Sequence, residues 1–599
     1  MNVHFRRQVR WRRMRRKHRH IATDGNTTAK KDAITINTVN VAIRTADAHT
    51  SVERVGVPNP ITGAPTVIRA HPILHYDALE SGLSSHPDRA FVARLLEYTR
   101  HGVPIGYKGL RSPRECSNWP SLEPFSDEIS RIINNDVHLG RKAGPFQYPP
   151  FDNFVGSPMG AFSKRSGKIR LIHDLSWPPG ESVNDHISPE EYSLQYMSMD
   201  DLVQRITSYG TGTLLGKLDI ADAFKHILVR SRDWDLLGST YYNLETHQKQ
   251  YYVDLVLPFG LRSSPKLFNE YADALQFIML KNGVSECMHY MDDYVTLGPK
   301  NSTQCRNNLE IMQKVCDDIG FSINPNKLVL PNTVIEFIGF IVDTNNMELR
   351  ISENRLRDII AELTLWEGRK TCKKRELLSI IGKLIFVSKV VRSGRTFVRR
   401  LIDLSRKVKY LHHRVNLNLS ARKDIQWWLA YLPSWNGITM LYDSVWTTNQ
   451  QLELYTDSSD IAIGAYFNDA WFYEVLDDKL RNMSINWREL YAIVIAITTW
   501  GKQLASKRLL IYCDNLSICY ILQKGTSKSE IIMDLVRQLF YICAQYNIEL
   551  SAKYVSTVNN GIADSLSRLQ FNRFRSLAPC ANTFMTLPIH ADSYCTLYV

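Results

Sequence analysis

The segment HYMDDYVTLG (residues 289–298) sets two adjacent acids, Asp292 and Asp293, between two short apolar runs. Adjacent carboxylates raise each other's pKa unless cations neutralise them, and Mg²⁺ prefers oxygen ligands of this kind. A third acid, Asp219, lies upstream in GKLDIADAF (residues 216–224), where a short strand pattern ends. The sequence therefore predicts three carboxylates at strand ends, with Mg²⁺ as their partner.

Three such acids are typical of a metal site for nucleotidyl transfer. Two Mg²⁺ ions, about 3.5–4 Å apart, can activate a primer 3′-hydroxyl and stabilise a leaving pyrophosphate. The alternative for Asp292 and Asp293 is a plain hairpin turn, because aspartate is a favoured turn residue that tolerates positive φ. The two acids alone do not decide between these interpretations.

Two further segments supply the context. LPFGLRSSPKLFNEYADAL (residues 257–275) predicts a turn at Gly260, an N-cap at Ser264 and an amphipathic helix from Pro265, whose start can face a nucleotide. FSKRSGKIRLIHDLS (residues 162–176) predicts two strands joined by a Ser-Gly turn. Four cations surround that turn: Lys164, Arg165, Lys168 and Arg170. A charged hairpin is often a solvated edge, but the order of these segments favours phosphate binding.

In this order, the segments resemble the motifs of reverse transcriptases over roughly residues 145–345. The resemblance implies a right-hand polymerase in which Asp219, Asp292 and Asp293 are the palm carboxylates. It also implies that Lys168 and Arg170 contact the incoming triphosphate. Phe224 is then the bulky gate that excludes a 2′-hydroxyl by collision, although an ordinary core aromatic would give the same sequence.

The resemblance extends to the residues around these motifs. Phe259, beside Gly260 in the turn that faces the nucleotide, stands where some relatives have Gln, and this form is closer to retrotransposon enzymes than to lentiviral ones. GFSINPNK (residues 320–327) implies that Lys327 donates a proton to pyrophosphate, the alternative being a solvated loop charge. EFIGFIVDT (residues 336–344) implies a hairpin that grips the primer end, the alternative being a core hairpin.

A second set of acids begins about 100 residues later. LELYTDSSDIAIGAYFNDAWFYEVL (residues 452–476) predicts three strands with Asp457 at the end of the first. Glu489 lies on a predicted helix, Asp514 follows the buried strand LLIYC, and Asp564 lies in the helical start GIADSLSR. Each acid alone suits a cap or a surface charge. Together they resemble the four metal-binding carboxylates of the RNase H fold.

One position departs from the RNase H pattern. Many such domains carry a histidine about ten residues before the last acid, on a loop thought to help product leave, and Tyr554 stands there in this chain. A phenol does not readily exchange a proton near neutral pH. We therefore expect the cleavage chemistry to survive and the assistance to turnover to be weakened.

The order of the two parts, with runs such as WNGITMLY and GTSKSEIIMDLVRQLF, resembles the tyrosine-recombinase retrotransposons of the DIRS and Ngaro group over about residues 86–580. No recombinase or aspartic-protease segment is visible, so a recombinase is expected on a separate chain. The expected divisions are a basic, disordered arm, fingers and palm, a basic helical thumb and connection, the RNase H domain, and a tail: residues 1–85, 86–345, 346–445, 446–572 and 573–599.

Charge agrees with a nucleic-acid partner. The 599 residues carry 73 Lys plus Arg and 60 Asp plus Glu, a formal net charge of +13. Residues 369–414 hold 15 cations and two acids, Glu376 and Asp403, so this segment alone matches the whole excess. It predicts helices whose arginines follow duplex phosphates or form a solvated face. The arginines concerned are Arg392, Arg395, Arg399 and Arg400.

Three other features of the sequence indicate the cellular compartment of the protein. The first 20 residues contain nine Lys or Arg and no acid, which indicates a nuclear signal or an RNA tether rather than a secretory leader. Ten cysteines without a CxxC pair favour reduced thiols in the cytoplasm or nucleus. No apolar run reaches about 18 residues, so no membrane partner is expected.

The sequence thus predicts an α/β multidomain protein: a right-hand polymerase with fingers, a palm with a ferredoxin-like antiparallel sheet and a helical thumb, then an RNase H-like α/β domain. The expected activity is RNA-directed DNA synthesis with degradation of the RNA strand of hybrids. The expected cofactor is Mg²⁺, two ions per active site, with Mn²⁺ as a substitute. The expected partners are an RNA template, a DNA primer, an RNA/DNA hybrid and dNTPs. A catalytically silent, domesticated nucleic-acid scaffold and a DNA-templated polymerase are the alternatives.

Overall fold

The structure is a computed structural model that describes residues 53–57, 66–163, 167–243, 247–435, 438–439 and 447–590. Residues 1–52 and 58–65 of the basic arm expected over residues 1–85 lie outside the described residues. So do Lys164 and Arg165, at the tip of the expected phosphate-binding hairpin.

A four-stranded antiparallel sheet lies at the centre of the polymerase-like part. Two helices, Ser264–Lys281 and Gln304–Ile319, pack against it through their apolar faces. The sheet brings the chain's separated strands into register, so that Asp293 lies opposite Asp219. In spatial order its strands are Cys287–Tyr290, Asp293–Gly298, Leu214–Asp219 and Val329–Asn332.

A second, five-stranded sheet lies beside it, with a separate two-stranded hairpin. The hairpin, Met159–Ser163 with Ile169–His173, is the basic one expected from the sequence. Three helices accompany these strands: Arg89–His101, Ser126–His138 and Met199–Tyr209. In spatial order the strands of the five-stranded sheet are Arg114–Glu115, Val155–Gly156, Gly238–Asn243, Gln248–Asp254 and Lys142–Phe146.

Regular structure begins before the expected boundary at residue 86. Strands Glu53–Val57 and Thr66–Ala70 pair, and helix Tyr76–Gly82 follows them. Leu79 is buried in the same core as the helices beneath the central sheet. A helix of seven residues spans only two turns, so its apolar positions are too few to give a visible period.

Residues 334–435 and 438–439 form a small sheet and a group of helices. The sheet contains Val334–Phe337, Phe340–Asp343, Glu348–Ile351 and Ile438–Thr439. The helices are Glu353–Thr364, Lys374–Val387, Arg399–Arg406 and Leu419–Tyr431. Strand Thr371–Lys373 pairs with Arg414–Asn416. The basic segment is therefore mainly helical, as its sequence predicts.

The C-terminal part has an RNase H-like arrangement of strands and helices. Three antiparallel strands, Leu454–Ser458, Ala462–Phe467 and Ala470–Val475, adjoin a parallel set of Thr447–Thr448, Arg508–Cys513 and Glu549–Tyr554. Its larger helices are Ile485–Trp500, Leu516–Lys524 and Glu530–Gln545, and two shorter ones are Gly561–Ser567 and Phe571–Leu577.

The chain stays packed on this domain past the expected boundary at residue 572. Phe574, on the last helix, is fully buried against Tyr466 and Trp471. The Thr586 N–H then donates to the Trp471 carbonyl at 2.7 Å. Much of the expected tail is therefore part of the folded domain, because it packs on Trp471 and hydrogen-bonds to it.

A buried ion network joins helix Leu419–Tyr431 to helix Glu530–Gln545. Asp424 is fully buried, and its Oδ1 lies 3.1 Å from Arg537 Nε and 3.4 Å from an Arg400 nitrogen. Arg400 therefore binds the protein itself and differs from the phosphate contact that its sequence context predicts. Among the described residues, all nine cysteines are free and no helix is long and apolar enough to span a bilayer.

Candidate active sites

The first acid cluster forms where two strands of the central sheet meet. Asp219 is the last residue of its strand, and Asp293 is the first residue of the neighbouring strand. Between Tyr290 and Asp293 the chain turns through Met291, whose φ of 58° is left-handed, and Asp292. The antiparallel register and this tight turn set the three acids side by side.

The electrostatics of this cluster favour a bound cation. Burial, with added repulsion from Asp293 and Asp219, raises the pKa of Asp292 to about 6. Burial also raises the pKa of Asp293, against the opposing pull of Lys217, whose Nζ lies 3.1 Å from Asp293 Oδ1. Carboxylates that resist ionisation in this way gain from divalent cations, so the donor set fits a metal site.

Lys327 lies directly on the acid cluster. Its Nζ is 2.6 Å from Asp219 Oδ1, and Asn324 Nδ2 donates to the other oxygen of Asp219 at 3.3 Å. Partial burial lowers the pKa of Lys327, but the hydrogen bond and charge of Asp219 outweigh this and raise it overall. The ammonium is therefore charged and lies within reach of the acids.

Three of the predicted nucleotide-contacting residues, Arg170, Phe259 and Phe224, lie in contact with one another in a row. The Arg170 guanidinium lies 4.9 Å from the centre of the Phe259 ring, and the Phe259 and Phe224 rings lie 5.0 Å apart. Phe224 is half-buried and also meets the core ring of Phe268 at 5.7 Å. Lys168 is exposed near the hairpin tip. Phe224 therefore contacts the hydrophobic core through Phe268 and the candidate nucleotide site through Phe259.

Gly260 is required by a close approach. Its φ is 109°, and a Cβ at this position would lie 2.2 Å from the carbonyl oxygen of His173. Asn184 holds the same turn, donating to the Gly260 carbonyl at 2.8 Å and accepting from the Arg262 N–H at 2.7 Å. Asn184 was not predicted, because Gly260 and Arg262, which it holds, lie 76 and 78 residues away in sequence.

His173 is a second residue that the sequence did not reveal. Its ring nitrogens lie 2.9 Å from Asp254 Oδ2 and 3.0 Å from the Gly238 carbonyl. Lys142 completes the group, 2.7 Å from the other Asp254 oxygen. These buried contacts fix the end of the strand that carries Arg170.

The helix after this turn begins one residue earlier than its sequence predicts. Ser263 is the N-cap position and its side chain makes no capping hydrogen bond. The Ser264 hydroxyl instead donates to the Pro258 carbonyl at 3.0 Å. The turn thus competes successfully for the hydroxyl that a cap would use.

A hairpin turn faces the acid cluster across a cavity. The cavity has a volume of ≈ 620 Å³, and its lining includes Asp293, Ile338, Gly339 and Arg355. An Arg355 nitrogen donates to the Gly339 carbonyl at 3.3 Å, and its guanidinium lies 4.4 Å from the Phe386 ring. The expected primer hairpin therefore lies on the wall opposite Asp293.

The second acid cluster lies in the C-terminal domain. Asp457 is on the first strand, Glu489 on the long helix, and Asp514 directly after a parallel strand. Ligand atoms of Glu489, Cys513 and Asp514 lie within 4.8 Å of one another. Asp457 Oδ2 accepts a 2.5 Å hydrogen bond from the hydroxyl of Ser567, a residue not predicted from the sequence.

This cluster, too, has the chemistry of a cation site. Burial, together with Asp457 and Asp514, raises the pKa of Glu489 to about 9. Burial raises the pKa of Asp457 to about 6 despite the Ser567 hydrogen bond, with Asp514 and Asp564 contributing. These acids fit a divalent cation for the same reason as the first set.

Asp564 is held differently from the other three acids. Arg568 Nε lies 2.7 Å from one of its oxygens and an Arg573 nitrogen lies 2.6 Å from the other. Partial burial opposes ionisation, but these two hydrogen bonds lower the pKa of Asp564 overall. Tyr554, the last residue of its strand, is 52% exposed and pairs in the strand register with Cys513, the residue before Asp514.

Comparison with protein families defines both parts. Residues 164–342 match the family described as "Reverse transcriptase (RNA-dependent DNA polymerase)", and residues 447–539 match the "RNase H-like domain found in reverse transcriptase". The chain thus carries a reverse transcriptase domain followed by an RNase H-like domain, and the predicted fold class is confirmed. Domains of both kinds depend on divalent metal ions.

Polyproteins of mobile elements and viruses are among its relatives. The chain is 21% identical over 418 residues to the "Retrovirus-related Pol polyprotein from transposon opus" of Drosophila melanogaster, covering 67% of this chain and 38% of that protein. It is 22% identical over 440 residues to the "Putative enzymatic polyprotein" of Cassava vein mosaic virus, covering 70% and 61%. The chain therefore spans less than two thirds of the length of these relatives.

Solved structures of foamy viral protease-reverse transcriptase are similar at low identity. The complex with double-stranded DNA has a TM-score of 0.46 and 14% identity, covering 86% of this chain and 84% of that chain. The complex with an RNA/DNA hybrid has a TM-score of 0.43 and 14% identity, covering 80% and 63%.

Proposed function

We propose that the protein is an RNA-directed DNA polymerase with a linked RNase H that degrades the RNA strand of RNA/DNA hybrids. The observation that carries this proposal is the register that sets Asp219 against Asp293 beside Asp292, in a chain with a second acid cluster around Glu489. The substrates are an RNA template, a DNA primer and dNTPs, and the hybrid product is the substrate of the second site.

The proposed ions are two Mg²⁺ at each acid cluster, with Mn²⁺ as a substitute. When bound, they would favour the primer 3′-alkoxide or a hydrolytic hydroxide and neutralise the leaving group. The proposed ligands are Asp219, Asp292 and Asp293 for synthesis, and four acids for cleavage: Asp457, Glu489, Asp514 and Asp564. Local burial and repulsion make both sets receptive to cations.

The remaining site residues have proposed roles in binding. Arg170 and Lys168 bind the triphosphate, and Phe224 excludes the 2′-hydroxyl while Phe259 and Gly260 shape the floor beneath the nucleotide. The contacts of Phe259 with Arg170 and Phe224 support this assignment. Lys327, held against Asp219, donates a proton to the departing pyrophosphate.

We further propose that the chain belongs to a retrotransposon of the DIRS and Ngaro group. The order of the two domains and the segments from WNGITMLY to GTSKSEIIMDLVRQLF support this proposal. A recombinase would then be encoded on a separate chain, and the protein would work in the cytoplasm or the nucleus. Finding a tyrosine-recombinase reading frame beside the gene tests the proposal, and a neighbouring DDE-type integrase frame would argue against it.

A silent nucleic-acid scaffold is the less favoured alternative. A scaffold has no use for carboxylates whose pKa is raised by burial, since each ionised acid then costs free energy without a cation. A DNA-templated polymerase is also disfavoured, because a linked RNase H is useful chiefly when the template is RNA.

Extension of a DNA primer with Mg²⁺ on a labelled RNA template and, in parallel, on a DNA template tests all three. The proposed enzyme lengthens the primer and shortens the template. The scaffold does neither, and a DNA-templated polymerase extends the primer only on a DNA template.

A further inference from the structure

A short exposed loop connects helix Arg399–Arg406 to strand Arg414–Asn416. We call residues 407–413 the Tyr410 loop. Tyr410 is 51% exposed and Leu411 is 57% exposed, so two adjacent large side chains lie open to solvent. The roles proposed for the two active sites do not involve these exposed side chains.

The Tyr410 loop is firmly anchored to the start of helix Lys374–Val387. The backbone N–H groups of Lys374 and Arg375 donate to the carbonyls of His413 and Leu411 at 2.8 and 3.0 Å. The Lys374 ammonium donates to the Val408 carbonyl at 2.6 Å. These bonds order the backbone, so the exposed side chains project from a fixed base.

Cations surround the loop with little acidic balance. The two acids of the basic segment already have partners, since Glu376 pairs with Arg369 at 2.8 Å and Asp403 pairs with Arg399 at 3.3 Å. The exposed cations around the loop are Lys370, Lys373, Arg375, Lys407, Lys409 and Arg414, together with Arg406, which also pairs with Asp403 at 3.6 Å. This surface therefore attracts a polyanion.

Aromatic rings lie at the centre of the charged surface. The Tyr410 and His412 rings are stacked at 5.8 Å with 16° between their planes, and the His413 ring meets Tyr410 edge-on at 5.0 Å. Lys409 Nζ lies 5.3 Å from the Tyr410 ring. Aromatic side chains stack on unpaired bases, and surrounding cations bind the phosphates of the same strand.

We propose that the Tyr410 loop is a binding site for single-stranded RNA, with a base stacked on Tyr410 and the backbone held by the surrounding cations. A duplex presents phosphates and groove edges but keeps its base faces stacked inside, so the exposed aromatic side chain discriminates in favour of unpaired RNA.

The proposed site is separate from the nucleotide site. Helix Lys374–Val387 has 14 residues, so it is about 20 Å long at 1.5 Å per residue. Its far end carries Phe386, which stacks on Phe340 at 4.3 Å beside the cavity that contains Asp293. The Tyr410 loop lies at the opposite end, so the inference goes beyond the proposed function and concerns a different surface.

The test is fluorescence anisotropy of the full chain with a labelled oligouridine of about 15 nucleotides, a length suited to one such site. Unlabelled primer–template hybrid is present at saturation to fill the polymerase cleft, and EDTA prevents cleavage. The variant is Tyr410→Ala, with Tyr410→Trp as the conservative change. The matched control is Tyr242→Ala, because Tyr242 is 52% exposed and lies opposite Lys249 in a strand pair remote in sequence.

We expect Tyr410→Ala to weaken RNA binding about tenfold, while Tyr410→Trp and Tyr242→Ala bind as the parent does. Lys409→Gln should reduce the slope of log affinity against log salt by about 0.7. Melting curves check that each variant is folded.

Unchanged oligouridine binding by Tyr410→Ala would overturn the proposal. So would an equal loss for a blunt duplex, which would make the loop a duplex contact. Because binding is measured without metal, loss of catalysis cannot produce either result. Primer extension on a short template tests the proposed function separately.

Discussion

Lys327 Nζ lies 2.6 Å from Asp219 Oδ1, although the two residues are 108 positions apart in the chain. The ion pair sets a fixed positive charge beside three acids that we propose to bind Mg²⁺. Lysine and metal ion thus act on the same carboxylates.

Lys327→Gln should therefore change the metal dependence of synthesis. Removal of the charge should lower the half-saturating Mg²⁺ concentration about threefold, because one competing cation is lost. The maximal rate should fall, since pyrophosphate loses its proton donor. Mg²⁺ titrations of primer extension measure both effects. Lys249→Gln, which removes an ion pair with Glu115 elsewhere, is the control. Identical titrations for Lys327→Gln and the parent would refute this role.

Asp292→Asn should abolish DNA synthesis and leave cleavage of hybrids nearly intact. A lost metal ligand removes several kcal/mol of transition-state stabilisation, so the rate should fall by roughly three orders of magnitude. Asp457→Asn should give the mirror result. Both activities are measured on one labelled hybrid. Near-normal extension by Asp292→Asn would end the assignment of the first acid cluster.

Phe224→Val should admit ribonucleotides. Its ring lies between the Phe259 ring and the core ring of Phe268, and shortening the side chain opens space on the Phe259 side. The ratio of incorporation efficiencies for each dNTP and its matching rNTP should fall by at least about tenfold. Phe268→Leu controls for loosening of the core. If the ratio does not move, Phe224 is core packing alone.

Tyr554→His should raise steady-state RNA cleavage by about twofold to fivefold while leaving the first turnover unchanged, because an imidazole can exchange protons near neutral pH and product release is a common limit. The position is exposed, so no imidazole is buried and the melting temperature should hold. Burst kinetics on a short hybrid separate the two phases. A slower first turnover with unchanged stability would contradict the product-release role.

Arg537→Met should destabilise the protein strongly. Asp424 is fully buried, and after loss of Arg537 the longer 3.4 Å contact with Arg400 compensates its charge only in part, which costs about 3 kcal/mol. Denaturant or thermal unfolding measures the loss. Arg399→Met, which breaks an exposed pair with Asp403, should cost less than about 1 kcal/mol. Equal effects of the two changes would show that the buried pair has no special weight.

The same variant should show a characteristic pH dependence. Burial raises the pKa of Asp424 to about 6, although Arg537 and Arg400 pull it down. A carboxyl with a raised folded-state pKa stabilises the fold while protonated, and that stability is lost as pH rises through the folded pKa. Without Arg537 this pKa rises further. The melting-temperature difference between parent and Arg537→Met should therefore be larger at about pH 8 than at about pH 5.

Each acid cluster was predictable in part, because some of its acids end or directly follow a recognisable strand. Asp219 and Asp514 both stand where a short apolar run stops, and a strand end is a local signal. The order of the motifs along the chain then sufficed for the fold class. The position of a strand end does not show which strand pairs with which. Only the sheet register therefore shows that Asp219 lies opposite Asp293.

The supporting residues were missed for a related reason. Asn184 and His173 act through Gly260 and Asp254, which are 76 and 81 positions away from them respectively. Such contacts exist only after folding and leave no local pattern. Arg573 lay in what the sequence presents as a tail, and only the packing of Phe574 shows that this segment belongs to the domain.

The close approach at Gly260 also limits which mutations of its codon leave the turn intact. Every single-base change of a glycine codon that alters the product gives either a stop or a residue with a Cβ atom. At this position a Cβ would lie 2.2 Å from the carbonyl oxygen of His173. That oxygen belongs to the backbone, so no side-chain rotation can relieve the collision. Descendant copies of the gene therefore have no graded intermediates at this codon. A copy either keeps glycine or loses the shape of this turn in one step.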